Sequence, residues 1–150
     1  MTRLDFYILQ DVERQAMLRF ACRLAAKAAG AGKPIYVHAQ SGAEAEEFDE
    51  LLWCYPPNRM IPHGLAGQPA AEGAPVVVGS APELAKDRDW AAQGLLINLS
   101  DEAPAFIDQF ERAAEIIVGE NRTSGRARYR LYRDRGYALS THELDNWEGT

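Results

Sequence analysis

Cysteine is scarce in this sequence: Cys22 and Cys54 are the only two in 150 residues. Two isolated thiols build neither a disulfide framework nor a zinc site, and a reducing compartment is expected. No apolar run approaches the length that crosses a bilayer. Residues 1–10 lack the charged start, apolar stretch and small-residue cleavage site of a secretory leader. The expectation is a cytoplasmic protein. Basic residues are in deficit, 16 Lys and Arg against 22 Asp and Glu, for a formal net charge of −6. A surface suited to nucleic acid on every side is thereby excluded.

The motifs of catalysis are missing too. The first strand-to-helix junction, Leu9-Gln10-Asp11-Val12-Glu13, has no glycine and two acids, which would repel a phosphate. Gly30-Ala31-Gly32-Lys33 leads from helix to strand, the wrong direction for a phosphate loop. Pro34 also stands where a Mg²⁺-binding hydroxyl is needed. His38, His63 and His142 lie far apart without ligand spacing, so each reads as structural or exposed. Ser41 lacks a nucleophile elbow and is better explained as a helix cap. No cofactor, metal or enzymatic activity is expected.

What is present is an alternation of strands and helices. Residues 4–9 alternate as a buried strand, and 12–29 repeat Ala16, Phe20, Leu24 and Ala28 at helical spacing. Strands are predicted at 34–39, 76–78, 95–99 and 115–118. Helices are predicted at 41–53, 103–110 and 123–135, with a helical turn at 82–86. Residues 54–73 read as a long loop and 137–147 as a tail. This order predicts one α/β domain over 1–150: a mainly parallel sheet with helices on both faces, Rossmann-like but without the glycine-rich phosphate loop.

Two segments look made for partners. The loop from Trp53 through Met60, Ile61 and Leu65 is unusually apolar for a connection. It either folds back onto the sheet or presents a protein-binding patch. The second segment concentrates charge: residues 122–137 hold six arginines and one acid, +5 in a chain whose remainder is −11. At 100° per residue, Arg122, Arg126, Tyr129, Arg130 and Arg133 share an arc of about 100°. Ala127 and Leu131 are expected to face the core, and Arg128 lies outside the arc. Unmixed arginine with tyrosine suits carboxylates, phosphates or planar groups, and the stripe alone does not choose among them.

Four stretches, in order, resemble the chi subunit family of the bacterial DNA polymerase III clamp-loader assembly. They are Asp5-Phe6-Tyr7-Ile8-Leu9, Phe48-Asp49 with Leu51-Leu52-Trp53, Ile61-Pro62-His63-Gly64-Leu65-Ala66-Gly67, and Arg128-Tyr129-Arg130 through Tyr132-Arg133 and Gly136-Tyr137. The resemblance implies a non-catalytic adaptor with two partners, touching nucleic acid only indirectly. One partner is the psi subunit, bound through Trp53, Met60, Ile61 and Leu65. The other is the acidic C-terminal tail of single-stranded DNA-binding protein (SSB), bound through Arg126, Tyr129 and Arg130 with Val118 and Leu139 as apolar lining. A repair helicase is a further partner left open. The competing readings are a direct single-stranded DNA binder using the Arg–Tyr stripe and a nucleotide-dependent nucleic-acid enzyme on the same sheet.

Overall fold

In the computed structural model, residues 1–83 and 88–148 are described. Seven strands form one sheet: β1 (Arg3–Leu9), β2 (Ile35–His38), β3 (His63–Leu65), β4 (Val76–Gly79), β5 (Leu95–Asn98), β6 (Arg112–Ile117) and β7 (Ala138–Leu144). The order across the sheet is β3-β4-β2-β5-β6-β1-β7, and every pairing is parallel. The helices are α1 (Arg14–Gly30), α2 (Gly42–Leu52), the short α3 (Trp90–Gln93) and α4 (Arg122–Asp134).

Strand alternation sorts the core into two layers. On one face α1 and α2 pack Ala21, Ala25 and Phe48 onto Leu9, Val37, Val78, Ile97 and Ile116. On the other, Trp90, Phe106, Phe110 and Tyr132 cover Phe6, Tyr36, Leu96 and Ile117. Helices thus lie on both faces of a parallel sheet, as the pattern predicts. Ser41 caps α2 as expected, its hydroxyl accepting from the Glu44 amide at 3.2 Å.

Several boundaries differ. The expected tail at 137–147 is largely the edge strand β7, hydrogen-bonded along β1. Its run Ser140-Thr141-His142-Glu143 is polar because an edge strand exposes most of its side chains. The expected loop at 54–73 contains β3 and a 3₁₀ turn at Pro69–Ala71. The helix expected at 103–110 reduces to a 3₁₀ turn at Ile107–Gln109, and the last predicted strand begins earlier, at Arg112. The turn expected at 82–86 lies mostly outside the described residues.

Candidate functional site

The basic helix α4 lies against the sheet with an unexpected face. Ala127 and Leu131 are exposed, whereas Gly125, Arg128 and Tyr132 point inward. Gly125 sets the approach: a Cβ built there would stand 2.5 Å from Ile117 Cδ1. Arg128 is buried, 3% exposed, and its Nε donates to Glu115 Oε1 at 2.9 Å. Glu115 also accepts from the Tyr132 hydroxyl at 2.7 Å and from Asn98 Nδ2 at 2.8 Å. Burial pushes the Glu115 carboxyl up, while Arg128 and the two neutral donors pull it back down. Burial, with Glu115 beside it, raises the Tyr132 hydroxyl, so it remains a proton donor. This network pins α4 to β5 and β6.

The pinned helix walls a cavity of about 380 Å³. Phe6 and Ile8 of β1 and Ile117 of β6 form its floor, and Arg122, Gly125, Arg126 and Tyr129 form the helix side. Glu143 of β7 stands at the opposite rim. The Tyr129 ring meets Phe6 edge-on at 5.1 Å. The ion pairs of α4 are Arg128–Glu115 and Arg133–Asp134. Arg122, Arg126 and Arg130 are thus left without a carboxylate partner among the described residues. The result is an apolar pocket edged by uncommitted guanidinium groups.

Of the five residues assigned to the tail site, Arg126 and Tyr129 line this cavity. Arg130 is exposed on the same helix but is not in the lining. Val118 is fully buried in the core on the α1 side and borders a different cavity, with Arg14 and Met17. Consecutive strand positions face opposite ways, so Ile117 and not Val118 lines the cavity beneath α4. Leu139 is half-buried against the α4-side core and is outside the lining. Phe6, Ile8 and Glu143 line the cavity too and were not among the residues expected there. The alternation of 4–9 carries a signal for the first two, but nothing local places Glu143 beside them.

The four loop residues separate as well. Trp53 is 59% and Met60 78% exposed. Ile61 is 5% exposed and belongs to the core, and Leu65 of β3 packs half-buried against it. Ile61 is therefore not part of an exposed patch. His63, buried between them, holds the segment: Nδ1 lies 2.7 Å from the Ile61 carbonyl and Nε2 3.0 Å from the Asp49 carbonyl. Trp53 covers the His63 ring at 4.7 Å. The loop thus folds back in part and is open in part.

At the N-terminus of α1 the Glu120 carboxylate accepts from the Arg14 amide at 3.0 Å. In a dinucleotide-binding fold a phosphate would use that position. Among the described residues no three His, Cys, Asp or Glu side chains converge as a metal site, and no helix is long and apolar enough to cross a membrane.

The family model described as DNA polymerase III chi subunit, HolC, matches residues 1–140. Among curated relatives, DNA polymerase III subunit chi of Pseudomonas aeruginosa is 41% identical over 146 residues, 96% of this chain and 98% of the relative. The Haemophilus influenzae subunit chi is 33% identical, over 93% of this chain and 96% of its own length. The Escherichia coli subunit chi is 27% identical, over 94% and 97%.

Proposed function

The chain belongs to the family of DNA polymerase III chi subunits, and from that premise we propose that it is a non-catalytic adaptor joining the psi subunit to the acidic tail of SSB. One observation carries the tail half of this reading: the cavity beneath α4 combines an apolar floor and the aromatic edge of Tyr129 with Arg122 and Arg126, which have no carboxylate partner among the described residues. A flexible segment ending in a hydrophobe and a free carboxylate needs that pairing, a dry pocket for its side chain and guanidinium forks for its charges. Direct single-strand binding draws less support, because the carboxylate of Glu143 shares the rim and would repel a phosphate backbone.

The psi half rests on Trp53 and Met60. These two large apolar side chains are well exposed beside a segment that the core and His63 hold in place. Trp and Met are favoured at the centres of protein interfaces.

The test is a pair of titrations by fluorescence anisotropy. One uses a synthetic acidic peptide ending in phenylalanine with a free carboxylate, the other a single-stranded oligonucleotide of matched charge. The expected result is saturation by the peptide with a Kd on the order of micromolar, and no saturation by the oligonucleotide in that range. Amidating the terminal carboxyl should weaken the peptide. Preference for the oligonucleotide would overturn the reading.

A further inference from the structure

A second cavity, of about 300 Å³, shares no lining residue with the one beneath α4. It opens beyond the carboxyl ends of β2, β4 and β5, where His38 and Gln40, Ser80, and Ser100 and Glu102 come together with Phe106. The place follows from topology. β2 and β5 are neighbours in the sheet, yet the chain leaves β2 toward β3 at one edge and leaves β5 toward β6 in the opposite direction. Their connections also take opposite faces: α2 packs on the α1 side, and the turn at Ile107–Gln109 packs on the α4 side. Diverging connections leave a crevice between the two strand ends, and open parallel sheets bind small ligands at that switch point.

His38 supplies an independent observation. It is nine-tenths buried and its ring lines the cavity, while its Nδ1, itself sealed from solvent, has no hydrogen-bond partner among the described residues. A buried polar nitrogen without a partner is uncommon and calls for an explanation. Burial also lowers the basicity of the ring, which keeps it neutral near pH 7. Phe106 meets the imidazole edge-on at 5.2 Å, and Pro82 and Pro104 add flat apolar walls. The polar wall is rigid: Ser100 Oγ is 2.7 Å from Asn98 Oδ1, and Asn98 in turn donates to Glu115.

We infer that this switch-point cavity binds an uncharged nitrogen heterocycle of nucleobase size, without using a phosphate. Among the described residues no lysine or arginine lines it and Glu102 is the one formal charge, so they offer a phosphate no cation and one repelling carboxylate. The Ser100 hydroxyl, which donates to Asn98, keeps its oxygen as an acceptor, and Gln40, whose Oε1 accepts from the Asp101 amide, keeps its amide group as a donor for the edge of a base. The exposed edge of the His38 ring stands beside them, and the Phe106 and proline walls can hold the base's face. Bases are recognised by that combination wherever they are taken out of a stack. The volume sits at the small end of ligand pockets, enough for a nucleoside and not for a dinucleotide.

The experiment is NMR of the full chain with ¹³C-labelled histidine rings, assigned through His38→Gln, His63→Gln and His142→Gln. Millimolar cytidine or adenosine should shift the His38 signal saturably and leave those of His63 and His142 in place. Cytidine monophosphate should bind no more tightly than cytidine. Ala105→Trp, at an exposed position in the lining, should fill the cavity and abolish the shift while leaving the unfolding transition unchanged. An oligodeoxycytidylate acting at lower concentration than cytidine would identify the base of a single strand as the source. An inert oligonucleotide would identify the free nucleoside. No His38 shift with any nucleoside, a shift that survives in Ala105→Trp, or tenfold tighter binding of the monophosphate would each overturn the inference.

Discussion

Arg128 and Glu115 meet at 2.9 Å beneath α4 with both side chains nearly sealed from solvent. Helical arithmetic places Arg128 off the basic stripe and suggests that it is expendable. The fold makes it the opposite, an internal cation fixed also to the Asp101 carbonyl and the Ser124 hydroxyl. Removing one partner strands the other charge. Arg128→Ala should cost about 3–5 kcal/mol in urea unfolding, whereas the double substitution Arg128→Met with Glu115→Met should cost much less. Equal losses in the single and double variants would show that packing, not charge, is at stake.

The exposed arginines should behave differently. Arg126→Ala and Arg130→Ala should weaken binding of the acidic peptide by roughly 1–3 kcal/mol each, with unfolding changed by no more than about 0.5 kcal/mol. Added salt should weaken the wild type more than either variant. Arg135→Ala, exposed at the end of α4 and off the stripe, is the control. Losses of equal size at all three positions would reduce the site to bulk charge.

Gly125 governs how close α4 stands to the cavity floor. Gly125→Ala should destabilise by about 1–3 kcal/mol through overpacking and weaken the peptide as well. Ile117→Val removes the Cδ1 that the new methyl would strike at 2.5 Å. The double variant should therefore recover part of both losses, which a thermodynamic cycle would measure.

In the loop, stability and binding should separate by residue. Ile61→Ala should cost about 2–5 kcal/mol, as core truncations do. Trp53→Ala and Met60→Ala should cost far less and should instead abolish co-purification with a co-expressed psi subunit. Leu65→Asp, aimed at a half-buried position, should damage folding as well as binding. Retention of psi by the Trp53 and Met60 double variant would move the interface elsewhere.

Acid should destabilise the protein in two stages, one at the C-terminus and one at β2. The Trp147 indole donates to Asp11 Oδ1 and packs on Phe20, and Glu148 accepts from Arg19 Nε at 2.8 Å and from the Tyr55 hydroxyl at 2.7 Å. The hydrogen bond from Arg19 holds the Glu148 carboxyl below its ordinary value of 4.5. Its stabilisation is therefore full above that value and lost as pH falls through the lowered one. His38, held neutral by burial, acts at higher pH: stability should begin to fall below 6.5, where the unfolded chain takes up the proton more readily. Urea unfolding across pH 3–8 should show both regions. His38→Gln should flatten the upper one and Arg19→Ala the lower. A profile unchanged by either variant would refute the assignment.

The layer order of this protein is legible in its sequence because it depends on local periodicity. The 2-residue alternation of β1, the 4-residue spacing in α1 and the Ser41 cap each point to the element found. β7 is not legible in the same way. Its ladder to β1 is a contact across more than 130 residues, and its polar run is what an exposed edge tolerates. Which face of α4 turns inward was likewise beyond the sequence. Hydrophobicity favours Ala127 and Leu131, but a buried acid on β6 draws in Arg128 and Tyr132.

By itself the sequence determined the α/β alternation, the glycine-free first turn, the concentration of arginine in one helix and the family motifs, since each is a property of neighbours along the chain. The tertiary structure alone decided the sites. It turned Ile117 rather than Val118 toward the cavity, brought Phe6 and Glu143 beside Arg126, and buried Ile61 while leaving Trp53 and Met60 open. A site is a set of side chains made adjacent by strand order and helix docking. Those depend on long-range packing, which no stretch of neighbouring residues encodes.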